Sequence, residues 1–181
     1  MRETAIYGLI SLLLIGLYAA DMWMYTHTLV VWWVPLMLAL IPVCVSWFLL
    51  KRFWKSLWPD ISVCLLCAAH VVILTGFFYF LILGVNRWCA DPHLRYTEDV
   101  TVAARVRETH YHTRRVNRRY STRGTPYYTY KLDCELPDGR HKSIEVSHAY
   151  YKSVRTGSEI KLTMVSGVLG FPVILNTPGS E

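Results

Sequence analysis

Seven arginines stand close together in one short segment, where their side chains could bind anions. Arginine pairs with carboxylates and phosphates through two parallel hydrogen bonds, and its planar group stacks on aromatic rings. The segment holds a single acidic residue, Glu108. Its composition predicts a surface that binds an anionic partner, and it equally suits a solvated loop kept soluble by its charge. The predicted binding residues are Arg105, Arg107, Arg114, Arg115, Arg118, Arg119, Arg123 and Tyr120.

A second group of reactive side chains lies in an apolar run, where Cys64, Cys67 and His70 are spaced three residues apart. These positions share one face of a helix, and thiolates and imidazole are ligands for copper or zinc. A metal-binding, redox or transport component is therefore one alternative function, with Cys44 as a candidate fourth ligand. The competing interpretation is packing, because cysteine fills cores as a small apolar residue and a membrane histidine hydrogen-bonds neighbouring helices. We expect packing, and we predict no metal.

Other cysteines and histidines carry weaker signals. Cys89 and Cys134 lie outside the apolar runs, so an oxidising compartment would allow a disulfide between them, and a buried free thiol at Cys134 is the alternative. His110 and His112 would lie on one face of a strand, an arrangement that is common without metal. The sequence has no nucleophile elbow, phosphate-binding loop or zinc-protease helix. We therefore predict no catalytic residues and no cofactor.

Composition separates the chain into an apolar half and a polar half. Of its 181 residues, 53% are hydrophobic, and the net charge is +6. Residues 1–84 carry only four basic and three acidic side chains, whereas residues 85–181 carry fifteen and ten. The first half is therefore predicted to lie in lipid, and the second to form a small basic domain.

Three apolar runs, at about residues 5–24, 28–50 and 61–85, make up the first half. A bilayer core of about 30 Å needs about 20 helical residues, which the second and third runs provide without any charge. The first run reaches that length only by passing through Asp21, and a cleaved signal peptide is its alternative. Tryptophans near the ends of the runs are typical of membrane interfaces. We predict a transmembrane domain of three helices over residues 1–88.

Basic residues between the second and third runs determine the predicted orientation. Lys51, Arg52 and Lys55 lie there, and no lysine or arginine lies between the first and second runs. Short basic loops stay in the cytoplasm, so we expect a cytoplasmic N-terminus and an extracytoplasmic C-terminal domain in the plasma (inner) membrane. That orientation disfavours nucleic acid as a ligand. The opposite orientation would make the arginine segment a cytoplasmic site for anionic lipid or nucleic acid.

The C-terminal half changes to a hydrophobic period of two, which is typical of half-buried strands. Apolar and polar residues alternate from Val100 and again towards Leu136. The Pro-Asp-Gly sequence at 137–139 predicts a tight turn, Ser147 can cap a short helix, and Pro172 suits an edge strand. We therefore predict an α+β membrane protein, with three transmembrane helices followed by a small antiparallel β-sheet or partly open β-barrel. The predicted ranges are 89–97 for a linker, 98–181 for the β domain and about 109–126 for a long arginine-rich loop.

Several short motifs lie along residues 98–175. They are a valine-rich first strand, Tyr127-Tyr128-Thr129-Tyr130, Leu136-Pro137-Asp138-Gly139, Tyr151 before Gly157, and Gly167-Val168-Leu169-Gly170-Phe171-Pro172. In these motifs the chain resembles a widespread family of uncharacterised bacterial membrane proteins, known only as a domain of unknown function. Members of that family pair a few apolar helices with a small β domain. The resemblance implies a fold and a membrane location, and it brings no catalytic residues with it.

Together these expectations describe a non-enzymatic protein anchored in the membrane. Its basic β domain would bind a protein partner or an anionic component of the cell envelope, as an accessory subunit or an immunity-type protein would. The helices would contact membrane lipid and could form a homo-oligomer. The alternatives are the metal-binding or redox membrane component and the cytoplasm-facing anion binder described above.

Overall fold

The computed structural model describes residues 2–115 and 121–176, and the chain divides into two compact units. The helical unit consists of Met1–Leu94 and Val165–Val173, and the sheet unit consists of Arg95–Met164 and Ile174–Glu181. The boundary after Leu94 lies within the predicted linker. The return of a C-terminal segment to the helical unit differs from the prediction of one continuous β domain.

Three long helices make up most of the helical unit: α1 (Arg2–Thr26), α2 (Trp33–Leu57) and α3 (Val63–Trp88). Both α2 and α3 are long and apolar enough to cross a membrane. Only 17% of the apolar window of each helix is buried, whereas the core helix of a soluble protein is mostly buried. The apolar stretch of α1, Ile10–Thr26, is shorter, so a third membrane span stays a prediction.

The second helix begins and ends later than predicted. Residues 28–32 precede it without forming helix. At its other end Lys51, Arg52 and Lys55 belong to the last turns of α2, so the prediction of a loop at these positions is wrong. Lysine and arginine are good helix formers, and their positive charges suit the negative end of the helix dipole. The same charges still lie between the apolar part of α2 and that of α3.

The strands of the second half are β1 (Arg95–Arg115), β2 (Ser121–Glu135), β3 (His141–Val146), β4 (Glu159–Ser166) and β5 (Pro172–Asn176). They form one antiparallel sheet in the order β3-β2-β1-β4-β5, so β3 and β5 are its edges. This order confirms the predicted sheet and the edge position of Pro172, which has no N–H for a central ladder. A 3-10 turn, Pro92–Leu94, precedes β1, and helix α4 (His148–Ser153) lies between β3 and β4.

Local signals in the sequence position these strands. The N–H of Leu136 donates to the carbonyl of Arg140 at 2.8 Å across the predicted turn. Gly139 in that turn has a φ of +78°, a conformation that suits glycine. The hydroxyl of Ser147 accepts from the N–H of Tyr150 at 3.2 Å, which confirms the predicted cap of the short helix. The buried side chains of the sheet unit include Val100, Val102, Leu132, Cys134, Ile144, Val146, Leu162 and Met164.

The prediction of a long arginine-rich loop at 109–126 is wrong for most of that range. Strands β1 and β2 continue there as a paired hairpin, from Thr109 opposite Tyr128 to Arg115 opposite Ser121, with one register shift between Tyr111 and Thr113. Threonines and tyrosines line both strands, and β-branched and aromatic residues pair well across antiparallel strands. The arginines are therefore displayed from a regular hairpin, in which alternate residues point to opposite faces.

Candidate functional site

The arginine–tyrosine contacts of the hairpin begin at Arg105, near the middle of β1. Its guanidinium carbon lies 4.3 Å from the centre of the Tyr151 ring, a cation–π arrangement. One of its terminal nitrogens donates to the carbonyl oxygen of Tyr151 at 2.7 Å. Tyr130 packs on the same ring, with ring centroids 5.0 Å apart. Arg105 is therefore held by both the ring and the backbone of a residue in α4.

Two more arginines stack on tyrosines farther along the hairpin. The guanidinium of Arg107 lies 5.1 Å from the centre of the Tyr128 ring. That of Arg123 lies 5.1 Å from the centre of the Tyr111 ring, across the two strands. Together these contacts form a ladder along the hairpin. We call the surface made by Arg105, Arg107, Tyr111, Arg123, Tyr128 and Tyr151 the arginine–tyrosine face.

The one acid of the segment, Glu108, is paired with another residue. Both of its carboxylate oxygens accept hydrogen bonds from Nζ of Lys131 at 2.8 Å, and Nε2 of His110 lies 3.4 Å from the carboxylate. The hydrogen bond from Lys131 lowers the pKa of Glu108. Among the residues that the structure describes, no carboxylate forms an ion pair with an arginine of the arginine–tyrosine face.

This arrangement suits the recognition of anions. A guanidinium that lies over a ring leaves the N–H groups along its edge free to donate. Those N–H groups can donate two parallel hydrogen bonds to a carboxylate or phosphate. Both Arg107 and Arg123 are exposed. The ring beneath each guanidinium restricts the side chain before any ligand arrives, which reduces the conformational entropy lost on binding. The face therefore presents partly ordered guanidinium groups whose geometry suits an anion.

The other residues predicted for the arginine surface are only partly placed. The backbone of Arg114 and Arg115 belongs to β1, at the far end of the paired hairpin. Arg118, Arg119 and Tyr120 lie outside the described residues. The structure thus assigns three of the seven arginines to the arginine–tyrosine face and the backbone of two more to β1.

The two histidines of the hairpin contact a tyrosine. His110 and His112 both pack on Tyr127, with ring centroids 5.1 Å and 4.7 Å apart. In the parts of the chain that the structure describes, no three histidine, cysteine or acidic side chains are placed to hold a metal ion. This pair therefore adds aromatic surface to the hairpin.

The histidine of the predicted cysteine–histidine group is fully buried among helix side chains. The indole Nε1 of Trp54 donates to Nδ1 of His70 at 2.8 Å. Nε2 of His70 lies 3.1 Å from the carbonyl oxygen of Val43 and 3.2 Å from Oγ of Ser46. Because an indole N–H can only donate, Nδ1 must accept and Nε2 must carry the proton. Both ring nitrogens of His70 are therefore used within the helix pair.

Among the described residues, the two cysteines of the same group are not placed with His70 to hold a metal ion. Cys64 is exposed, and Cys67 is half-buried. Cys44, the candidate fourth ligand, is exposed on α2. The geometry therefore favours packing for His70, and it lends no support to the metal-binding alternative.

The two cysteines outside the apolar runs are both free thiols. Cys89 is exposed at the end of α3, and Cys134 is fully buried in the sheet unit. Burial raises the pKa of Cys134 to about 11, so the thiol is protonated and unreactive at neutral pH. Lys142 lies opposite Cys134 in the β2–β3 register, and burial lowers the pKa of its ammonium to about 8.

Two buried polar residues of the helical unit were not among the predicted site residues. Asp21 on α1 is 6% exposed, and Asn86 on α3 is fully buried. Asn86 donates to the carbonyl oxygen of Phe171 at 2.9 Å and accepts from the N–H of Leu169 at 3.0 Å. A signal existed in the sequence for Asp21, since ionisable side chains within apolar runs are costly and are often functional. Asn86 follows the last residue of the third predicted run, so the pattern of the runs did not single it out.

Comparison with known proteins adds no relative. No family model, no curated protein and no solved structure matches this chain. The resemblance to a family of bacterial membrane proteins therefore stays a prediction, and the function is inferred from the geometry of the chain's own residues.

Proposed function

We propose that this chain is a non-enzymatic integral membrane protein whose sheet unit binds an acidic protein partner through the arginine–tyrosine face. In this proposal all three long helices anchor the protein in the plasma membrane and contact lipid. The N-terminus is cytoplasmic and the sheet unit extracytoplasmic, because the basic end of α2 stays in the cytoplasm. An accessory subunit of a membrane complex and an immunity-type protein would both use such a surface.

The position of the Arg107 and Arg123 guanidinium groups over the rings of Tyr128 and Tyr111 is the observation that carries the proposal. The residues Tyr111 and Tyr128 are 47% and 45% exposed, so the hairpin leaves aromatic surface in contact with solvent. Tyrosine and arginine are among the residues most enriched at binding hot spots. A partner that brings carboxylates to the guanidinium edges and covers the rings would use both properties at once.

A protein partner is favoured over bare anionic lipid by the form of the site. Basic clusters attract a lipid surface through net charge, at about 1 kcal/mol for each residue near the surface. Such attraction needs neither planar guanidinium groups nor stacked rings. Ordered arginines instead match the fixed geometry of carboxylates on a folded or docking protein.

The test uses the full-length protein in phosphatidylcholine nanodiscs, with a fluorescent octaglutamate peptide as the probe. Replacing Arg107 and Arg123 together by glutamine should weaken binding of the peptide by at least about tenfold, because charge-assisted hydrogen bonds are lost. The matched control replaces Arg155 and Lys161 by glutamine. Both control residues are exposed elsewhere in the sheet unit, and their removal should change binding by less than about twofold.

The outcomes separate three modes of binding. A selective loss in the Arg107/Arg123 variant supports the proposal. An equal loss in both double variants would mean that net charge alone attracts the peptide, and the proposal would be wrong. Failure to bind the peptide, together with capture of phosphatidylglycerol vesicles that depends on the same two arginines, would replace the protein partner by a lipid.

A further inference from the structure

A cavity of about 310 Å³ lies among the three long helices of the helical unit. Its walls come from α1, α3 and the beginning of α2. The volume is at the lower end of the range for small-molecule sites. The polar and aromatic residues that line it are Tyr18, Asp21, Tyr25, Trp32, Thr75 and Tyr79.

Two buried oxygen atoms that line this cavity have no hydrogen-bond partner within the described part of the chain. One is Oδ1 of Asp21, and the other is Oγ1 of Thr75. Asp21 is only 6% exposed, and its carboxylate has no ion-pair partner among the described residues. A buried carboxylate without a compensating charge is costly. A ligand that carries a positive charge would remove that cost.

The rest of the cavity wall is largely aromatic. Tyr18, Tyr25, Trp32 and Tyr79 all contribute to it. The hydroxyl of Tyr18 donates to the carbonyl of Val72 at 2.6 Å, which fixes the position of its ring. The faces of aromatic rings attract cations, and cages of such rings recognise quaternary ammonium groups.

We propose that this cavity binds a small organic cation, an amine or a quaternary ammonium compound, with Asp21 as the counter-charge. The aromatic residues surround the apolar substituents of the cation. The Thr75 hydroxyl accepts a hydrogen bond from an amine, or lies against the methyl groups of a quaternary centre. The site is independent of the arginine–tyrosine face, which belongs to the other unit and carries the opposite charge.

The test measures binding of radiolabelled benzyltrimethylammonium to the full-length protein in phosphatidylcholine nanodiscs. Asp21→Asn keeps the shape of the side chain and removes its charge, so it should weaken binding by at least about tenfold. The matched control is Asp60→Asn, which changes an exposed acid between α2 and α3 and should leave binding unchanged. Neopentylbenzene has the same shape as the probe without its charge, and it should fail to displace the probe.

Equal binding by the wild-type protein and the Asp21→Asn variant would overturn the proposal. Displacement of the probe by neopentylbenzene as effective as that by unlabelled probe would also overturn it, because the cavity would then select shape and not charge. Thermal unfolding of each variant in the same nanodiscs verifies its fold. Thr75→Val supplies a second variant, with a loss of about threefold expected for a primary amine, phenethylamine, which hydrogen-bonds the hydroxyl.

Discussion

The side-chain amide of Asn86 lies directly against Gly167, so that a β-carbon at position 167 would overlap the amide group. The amide is fully buried and bonds to the backbone of Leu169 and Phe171 in the β4–β5 turn. It therefore cannot move aside without losing both bonds. Asn86 attaches this turn to α3 only because residue 167 has no side chain.

Gly167→Ala should destabilise the helical unit by about 2–4 kcal/mol, from overpacking and from the loss of one or both hydrogen bonds. The free energy of unfolding in detergent micelles is the measurement. In an Asn86→Ala background the space beside residue 167 is open, so the same substitution should cost less than about 1 kcal/mol. A full cost in that background would show that Gly167 is needed for a reason other than Asn86.

His70→Phe should loosen the packing of α2 against α3. The substitution removes the acceptor of the Trp54 indole N–H, and the carbonyl of Val43 keeps only the hydroxyl of Ser46 as a side-chain donor. The expected loss is about 1–2 kcal/mol, within the range for hydrogen bonds between membrane helices. The thermal midpoint in nanodiscs is the measurement, and Cys64→Ala is the control because Cys64 is exposed.

The same preparation tests the metal-binding alternative. Since both nitrogens of His70 are engaged, zinc or copper added to the wild-type protein should leave its thermal midpoint unchanged. A rise of several degrees with metal, absent in a variant with Cys64, Cys67 and His70 all replaced by alanine, would restore the metal site as a function of the helical unit.

Lysine at positions 107 and 123 should not replace arginine in the arginine–tyrosine face. The Arg107→Lys, Arg123→Lys variant keeps the net charge but loses the planar groups that stack on Tyr128 and Tyr111. Binding of the octaglutamate peptide should fall by about three- to tenfold. A variant that binds as tightly as the wild-type protein would show that charge is sufficient and that the stacking is incidental.

Lys142 should make the sheet unit more stable at alkaline pH. Burial lowers the pKa of its ammonium to about 8 in the folded state, against about 10.4 when unfolded. Between these values the unfolded state binds more protons at this lysine, so the contribution of Lys142 to stability rises with pH. Below pH 8 the buried ammonium costs about 1–3 kcal/mol, an upper range because the group is partly exposed and therefore screened.

Lys142→Met should remove that cost, so the variant should be more stable than the wild-type protein at pH 7.5, and the two should converge towards about pH 10. The raised pKa of Cys134 acts in the opposite direction at alkaline pH, but equally in both proteins, so the difference between them reports Lys142. Cys134 is fully buried, so its labelling by a saturating pulse of thiol reagent reports opening of the sheet. The urea midpoint of this labelling, in a variant with no other cysteine, is the measurement. An unchanged midpoint at pH 7.5 would mean that the ammonium is fully solvated in the folded state.

The predicted orientation places the sheet unit outside the cytoplasm. The test uses a variant in which the five native cysteines are replaced and a single cysteine is introduced at Ser143, which is exposed on β3. In intact cells that express this variant, the new cysteine should react with a membrane-impermeant maleimide. A cysteine at Ser56, exposed near the end of α2, should react only after lysis. The reverse pattern would place the arginine–tyrosine face in the cytoplasm, where nucleic acid or anionic lipid becomes its partner.

The sequence alone determined the elements that depend on local chemistry. The uncharged runs predicted the apolar helices α2 and α3, the alternation around Leu132 predicted strands, and Gly139 predicted the turn, because each signal lies within a few neighbouring residues. The sequence-based prediction was wrong for the paired strands within 109–126, because the charges of that segment are typical of a solvated loop. Pairing between the two strands outweighed that tendency once threonines and tyrosines faced each other.

Only the tertiary structure decided which distant side chains meet. Arg105 contacts Tyr151, which lies 46 residues farther along the chain. His70, a candidate metal ligand in the sequence, accepts a hydrogen bond from Trp54 in the structure. The aromatic cavity beside Asp21 has walls from three helices, so the sequence did not predict it. These relationships depend on strand register and on helix packing, which bring together residues far apart in the chain. Spacing along the sequence therefore indicated which side chains could bind a ligand, and packing determined which of those side chains lie close together.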